Sequence, residues 1–169
     1  VLAHVPKLND FIKGLKILLK DTGIISLEFP HLLQLMKFNQ FDTIYHEHFS
    51  YFSIITLKYL FQKYDLRIFN VKKIKTHGGS LRVYVCHKST SFKESSAVSK
   101  IINEEIKYGL NDEEIYLNFQ NKVNIKKNKI QTYLKNLNDK QMCGFGAPAK
   151  ATTLINYCKI DKYISFIID

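Results

Sequence analysis

The 169-residue chain has no tryptophan, only 3 prolines and 7 glycines, and no long apolar run. The low proline and glycine content excludes collagen-like and linker-like chains, which need much of both. No apolar run reaches the roughly 20 residues of a membrane helix, so we predict no membrane partner. Hydrophobic residues make up 46% and aromatic residues 13% of the chain. This composition predicts a globular protein with a buried core.

Cysteine is also scarce. Cys86, Cys143 and Cys158 are widely spaced and odd in number, which argues against a disulfide framework or a zinc ribbon. Free thiols are typical of a reducing compartment, so we predict a cytoplasmic protein. The chain starts at Val1 without methionine, and Asp169 closes it at the end of an apolar run. These two ends favour the interpretation that the sequence is an internal fragment of a longer protein.

Arginine is the rarest charged residue. Only Arg67 and Arg82 stand among 25 basic residues, although the net charge is +10. Nucleic-acid-binding surfaces usually rely on arginine and on clustered charge. The lysines here are scattered, with a modest cluster at 122–129. We therefore predict a solvated lysine-rich surface and no nucleic-acid partner, with a weaker use in steering anionic small molecules.

Hydrophobic spacing predicts alternating helices and strands in the first half of the chain. In chain order these are a strand stump at 1–3, a helix at 6–20, a buried parallel strand at 23–29, a short helix at 31–38, a loop at 39–53, a helix at 54–64, and strands at 66–74 and 80–87 joined by a turn at 76–79.

The second half is helical and then returns to strands. The pattern over 92–137 is helical and highly charged, with an interruption near 109–112, and it is long enough to link two domains. A strand at 142–144, a helix at 147–157 and a strand at 163–168 follow as one βαβ unit. The predicted division is a first domain at 1–90, a helical linker at 91–139 and the start of a second domain at 140–169.

The loop at 41–51 concentrates the groups that could carry chemistry. Tyr45, His46, Glu47 and His48 lie in it, after a predicted parallel strand, where open α/β sheets bind their ligands. His4 follows the predicted strand stump and would lie at the same edge. The His46-x-His48 spacing could also ligate a metal, but no third ligand is evident, so no metal is predicted.

Two glycine segments add candidate anion sites. In the run from His77 to Arg82, two glycines allow a close backbone approach, and Arg82 with the turn amides could hold an anion, although a simple hairpin turn explains the run equally well. The second segment, 144–150, has the spacing G-x-G-x-x-A at the start of a helix. Asp169 lies about 20 residues further on, where a ribose-binding acid would stand. Alone, this segment indicates the nucleotide- or dinucleotide-binding domain of an oxidoreductase-like protein, and Lys150 favours a phosphate-bearing ligand.

Five segments together closely resemble one family, the S-adenosylmethionine-dependent sugar C-methyltransferases, which methylate C-3 of nucleotide-linked 4-keto-deoxysugars. They are, in the order of that family, residues 1–6, 28–33, 41–53, 77–85 and 144–150. The blocks Y-x-E-H and H-G-G-S-L-R are the specific ones, whereas the glycine loop is shared more widely.

The resemblance implies an α/β fold. The chain would hold the second half of a class I methyltransferase (Rossmann-like) sheet with a terminal antiparallel hairpin, then a helical linker, then the first βαβ unit of a second doubly wound domain. The cofactor would be S-adenosylmethionine, bound mainly by residues upstream of Val1, with Ala3 as the contact from this chain. Zinc could be present in a part of the parent that precedes Val1. The partner would be a nucleotide-sugar substrate.

The resemblance also assigns site residues. The family's catalytic residues fall on His4, Tyr45, Glu47 and His48. The two glycine segments, rather than the resemblance, supply the predicted substrate-binding residues, which are His77, Arg82, Gly144, Gly146 and Lys150.

The chemistry of these residue types agrees with that assignment. Methylation at carbon needs a carbanion, and a ketone acidifies the neighbouring C–H bond so that a base can remove the proton. His48 is the candidate base because imidazole titrates near neutral pH, with Glu47 as the alternative base or an orienting group. Tyr45 or His4 could donate a hydrogen bond to the enolate oxygen that forms.

Overall fold

The computed structural model of the chain describes residues 1–137 and 141–169, so the predicted boundary at 139/140 lies outside the described residues. The helices are α1 (Leu8–Leu18), α2 (Leu32–Phe38), α3 (Ile54–Gln62), α4 (Ser96–Tyr108), α5 (Glu113–Lys135) and α6 (Ala149–Cys158). The strands are β1 (Ile25–Pro30), β2 (Leu66–Ile74), β3 (Ser80–His87), β4 (Cys143–Phe145) and β5 (Phe166–Ile168). Short 3-10 helices occur at Leu2–His4, Phe41–Thr43, Thr76–Gly78 and Asp161–Tyr163.

The strands form two sheets. The first has the order β1-β3-β2, and β3 pairs antiparallel with both neighbours, so β1 and β2 run in the same direction. The second is a parallel pair of β4 and β5 joined by α6. The predicted single sheet for the first three strands and the predicted βαβ unit are both confirmed.

Two details of the strand prediction are wrong. Residues 1–3 do not form a strand; the backbone closes locally into a 3-10 helix, in which the His4 N–H donates to the Val1 carbonyl at 2.9 Å. A strand needs a neighbour to satisfy its backbone groups, and a local turn provides partners instead. Strand β1 pairs antiparallel with β3 rather than with a parallel neighbour, and only Phe29 in it is fully buried. The apolar run was therefore read correctly as a strand but with the wrong pairing.

Short polar side chains begin the longer helices. Ser53 caps α3 through a reciprocal pair of hydrogen bonds with Thr56. Ser95 and Asp112 cap α4 and α5 by accepting backbone N–H groups. Gly109 ends α4 in the left-handed conformation, which is the interruption predicted near 109–112.

The main core lies between the first sheet and helices α1, α3 and α4. Leu57, Phe61 and Leu81 are fully buried in it, and α4 contributes Val98 and Ile101. Helix α4 therefore packs on the first sheet although it falls in the predicted linker. The domain division itself stays a prediction. No helix among the described residues combines the length and the apolar character needed to cross a bilayer.

A smaller core joins the two units of the chain, the first of which contains the sheet β1-β3-β2 and the second the parallel pair β4 and β5. Phe41, from the loop after α2, packs with Val123 of α5 and with Cys158 and Ile160 after α6. The aromatic rings of Phe41 and Tyr157 lie 5.4 Å apart. These contacts hold the end of α6 against the 39–53 loop.

Candidate active site

The 39–53 loop is fastened at its middle and at its end. The N–H groups of Phe49 and Ser50 donate to the Ala3 carbonyl, at 2.8 and 3.3 Å. The N–H of Leu32 donates to the carbonyl of Phe52 at 3.0 Å, where the loop returns to α3. The loop therefore lies across the 3-10 helix that carries His4.

Two histidines from distant positions in the sequence meet at this loop. The rings of His4 and His48 have centroids 4.9 Å apart. Nδ1 of His48 lies 3.0 Å from the Thr43 carbonyl, and Nδ1 of His4 lies 2.9 Å from the Glu47 carbonyl. A carbonyl only accepts, so each Nδ1 carries the proton and donates it. In the neutral imidazole each Nε2 is then left with a lone pair and can act as a base.

Tyrosines enclose the ring of His48. Tyr45 lies with its ring centroid 4.6 Å from that of His48, and Tyr51 meets it edge-on at 5.9 Å. The Tyr51 hydroxyl donates to the same Thr43 carbonyl at 3.3 Å. Burial raises the pKa of Tyr51, so this phenol stays protonated at neutral pH and keeps donating.

His4, Tyr45 and His48 face a cleft of about 280 Å³. Five residues predicted from the sequence line it: His4, Tyr45, His48, His77 and Lys150. Lys150 comes from the first turn of α6, so the cleft is built from both units of the chain. The convergence of His4 with the 45–48 loop was predicted across more than 40 residues, and the structure places the two segments in contact.

The turn between β2 and β3 presents His77. Its φ of 52° is left-handed, and the next two residues, Gly78 and Gly79, have φ of 78° and 117°. A Cβ on Gly78 would stand 2.5 Å from the Gln40 side chain, and one on Gly79 would stand 2.7 Å from the side chain of Gln34. Both glycines are therefore required for close packing of the turn against α2 and the residues after it.

Arg82 is predicted to be available to bind an anion, but its guanidinium is bound to Glu28. Its Nη2 donates to Glu28 Oε2 at 2.6 Å, and the Thr76 hydroxyl donates to the other oxygen of that carboxylate at 3.1 Å. The Arg82 guanidinium holds the pKa of the Glu28 carboxyl below its usual value. Glu28 lines the cleft and Arg82 does not, so the arginine orients an acid at the wall. Its predicted contact with substrate stays a prediction.

The glycine segment after α5 is held by the end of the chain. The Gly146 N–H donates to the Ile168 carbonyl at 2.6 Å, and the Ala147 N–H donates to the Asp169 carboxylate at 3.0 Å. Asp169 was predicted as a ribose-binding acid, but one of its oxygens orders the loop instead. Gly144 packs on β5 and, like Gly146, does not line the cleft, so from this segment only Lys150 reaches it.

Glu47 and Ala3, which were also predicted as site residues, do not present their side chains to the cleft, and neither does His46, the alternative metal ligand. Glu47 and His46 are exposed, and Glu47 contributes its carbonyl to His4 rather than its carboxylate. Ala3 is buried and its carbonyl is occupied by the loop amides. Among residues 1–137 and 141–169, no group of three or more histidine, cysteine, aspartate or glutamate side chains could hold a metal, so the His46-x-His48 alternative gains no support.

Comparison with known proteins identifies the family. The sequence model of the family described as "C-methyltransferase C-terminal domain" matches residues 75–169. The chain is also 34% identical over 158 residues to the C-methyltransferase NovU of Streptomyces niveus, which covers 92% of this chain. The chain belongs to the C-methyltransferase family. It spans 38% of the length of NovU.

This C-methyltransferase chain also has cleft residues that sequence reasoning missed. Glu28, Thr43 and Ser80 line the cleft beside the predicted residues. Glu28 stands at the end of β1, two residues before Pro30, and a charged residue at the end of an apolar strand was a usable signal. Thr43 acts through its main-chain carbonyl, for which the side chain gives no signal.

Proposed function

We propose that the chain is part of an S-adenosylmethionine-dependent C-methyltransferase that acts on a nucleotide-linked keto-deoxysugar through base-catalysed enolate formation. The observation that carries the proposal is the arrangement of His4, Tyr45 and His48 at one cleft. Two imidazoles there have Nδ1 fixed by carbonyls and Nε2 left with a lone pair, and a phenol lies against one of them. Family membership supports methyl transfer to carbon.

The strand layout supports the relation to class I methyltransferases. Their sheet ends in an antiparallel strand inserted between two strands of common direction. The order β1-β3-β2, with β3 antiparallel to both neighbours, agrees with that ending. The connection between β1 and β2 contains α2 and α3. We therefore assign the first three strands to the end of such a sheet.

His48 is the proposed base. Its Nδ1–H is engaged by the Thr43 carbonyl, so Nε2 can accept the proton from the carbon next to the ketone. The Thr43 carbonyl then also stabilises the imidazolium that forms. The Tyr45 hydroxyl is the proposed donor to the enolate oxygen, and His4 beside it is the alternative donor once protonated.

The proposed position of the substrate follows from charge. The cleft of about 280 Å³ has room for a sugar ring, and Lys150 and His77 line it beside the three aromatic residues. A lysine at the first turn of a helix is suited to a phosphate oxygen, because helix amides and ammonium attract the same charge. We propose that Lys150 binds the diphosphate of the nucleotide sugar.

The cofactor is proposed to be held mainly by residues outside this chain. Ala3 is buried and its carbonyl already accepts two N–H groups, so that carbonyl is engaged within the chain. When bound, S-adenosylmethionine would supply an electrophilic methyl group. The residues described here would orient the sugar and move its proton.

The alternative of a dinucleotide-binding oxidoreductase domain is not favoured. It depends on Asp169 as a ribose ligand, and that carboxylate accepts the Ala147 N–H. The family match supports methyl transfer rather than hydride transfer.

Proton exchange with methyl transfer tests the proposal. The full-length protein should incorporate labelled methyl from S-adenosylmethionine into a nucleotide-linked 4-keto-deoxysugar. With an unreactive cofactor analogue, it should exchange the proton at C-3 of that sugar with deuterated water. The same sugar reduced to the 4-hydroxyl is the control and should neither exchange nor be methylated, since its C–H bond is not acidified. Methylation of the reduced sugar, or of oxygen rather than carbon, would contradict enolate formation.

A further inference from the structure

A buried hydrogen-bonded pair joins α4 to the residue that precedes α2. Glu105 of α4 and His31 are almost completely inaccessible to solvent, and His31 Nε2 lies 2.7 Å from Glu105 Oε1. The same carboxylate accepts the N–H of Ile54 at 2.8 Å and the N–H of Ile55 at 2.9 Å. These are the first two residues of α3, whose amides have no partner within the helix. The buried carboxylate therefore receives three hydrogen bonds from two separate segments.

The two segments stand at either end of the stretch of chain that contains α2 and the 39–53 loop. His31 precedes α2 and forms a parallel bridge with Phe52, while Ile54 follows the loop directly. The residues between them include Thr43, Tyr45 and His48. The His31 N–H also donates to the Gly79 carbonyl at 3.0 Å, which ties the turn carrying His77 to the same point. The Glu105 carboxylate thus binds the residues that follow the 39–53 loop directly, and it is linked through His31 to the turn that carries His77.

Stability alone does not account for a carboxylate at this position. Replacing both partners of a buried hydrogen bond by apolar groups of the same shape can be nearly neutral or stabilising. Helix α4 is already anchored in the core by Val98 and Ile101. A carboxylate, unlike an apolar side chain, fixes direction, because it accepts from three donors at defined positions.

We infer that Glu105 is a positioning residue, which sets the place of Tyr45 and His48 at the cleft by holding the two ends of the segment that contains α2 and their loop. Its effect on turnover rests on the proposed function, whereas its effect on the geometry of His48 does not. A displacement of about 1 Å in a reacting group costs up to 10²-fold in rate.

Glu105→Gln tests the inference, with Glu104→Gln as the matched control on the next residue. Glu104 pairs with Lys73 at the exposed surface, at 2.6 Å. The readout is the NMR spectrum of ring-labelled histidine in the full-length protein, together with kcat and KM. We expect Glu105→Gln to shift the His48 ring signals and to lower kcat by about 10- to 100-fold with little change in KM. Glu104→Gln should leave both unchanged.

Loss of thermal stability in Glu105→Gln with unchanged His48 signals would overturn the inference, since the carboxylate would then be purely structural. Shifted signals without any methyltransferase activity in the wild type would keep the positioning role and reject the proposed function. If Glu105→Gln does not fold, two variants of His31 decide. His31→Gln retains a donor to the carboxylate and should keep the His48 signals, whereas His31→Leu should shift them; equal spectra would refute the positioning role.

Discussion

Replacement of His48 by asparagine should remove most of the turnover while leaving the loop folded. The amide nitrogen of asparagine stands where Nδ1 of histidine stands, so it can still donate to the Thr43 carbonyl, now 3.0 Å from Nδ1. No atom of asparagine reaches the position of Nε2. General bases contribute about 10²- to 10⁴-fold, and we expect kcat to fall by that factor.

His48→Gln provides the complementary variant. Glutamine reaches the position of Nε2 but loses the contact with Thr43, and a neutral hydrogen bond contributes about 0.5–1.5 kcal/mol. The Thr43 carbonyl keeps the Tyr51 hydroxyl at 3.3 Å, so it is not left without a donor. We therefore expect His48→Gln to unfold at about 1 kcal/mol lower free energy than His48→Asn, with an equally low kcat.

Labelled methyl transfer measures kcat, urea denaturation measures stability, and calorimetry with the nucleotide sugar confirms that the variants still bind. His46→Asn is the control, because the exposed His46 lies two residues away and does not line the cleft. Turnover of His48→Asn within about threefold of wild type would show that Nε2 is not the base. An inactive Glu47→Gln beside it would move the base to Glu47.

Three further predictions follow from the walls of the cleft and from the core. Arg82→Met should raise the lowered Glu28 pKa toward its ordinary 4.5, as NMR titration would show. The Arg82–Glu28 pair stabilises the fold above that pH and ceases to do so as the pH falls through the folded-state pKa of Glu28. Equal Glu28 titration in the variant and the wild type would contradict the ion pair. Gly78→Ala should lower the free energy of unfolding, measured by urea denaturation, by about 1–2 kcal/mol because Gly78 has a left-handed φ. Adding Gln40→Ala should relieve only the side-chain contact. Wild-type stability in the single variant would be inconsistent with the turn described. Phe61→Ala should cost about 3–5 kcal/mol because Phe61 is fully buried, and a loss below about 1 kcal/mol would place this side chain outside the core.

Local patterns predicted the hairpin well. The predicted bounds of the strands at 66–74 and 80–87 are the observed ones, since alternation and a glycine turn are properties of neighbouring residues. The 3-10 helix at Leu2–His4 and the antiparallel pairing of β1 were not predicted. Pairing depends on which strand lies alongside, and an apolar run is equally compatible with a parallel or an antiparallel neighbour.

The sequence predicted the side chains that meet at the candidate site but not the groups that hold them in place. His4, Tyr45 and His48 meet as expected, because each belongs to a distinctive motif. The Thr43 carbonyl, which fixes the tautomer of His48, could not be found, since every residue carries a carbonyl. Glu105 was equally hidden, because a carboxylate in a highly charged helical segment is normally solvated.

The insertion of β3 between β1 and β2 has a consequence for the order in which the molecule is assembled. Ile25 of β1 pairs with Val85, and Pro30 with Ser80, across at least 50 residues, whereas β2 and β3 adjoin along the chain. The short hairpin closes at much lower entropic cost, so it should form first and offer the free edge of β3 as the template on which β1 docks. On a ribosome, the 39–53 loop and His48 would already have been synthesised while the strand that completes the cleft wall was still unmade. The cleft is therefore completed late in folding, and release of a chain before His77 would leave the 39–53 loop without His77 and β1 without its partner β3.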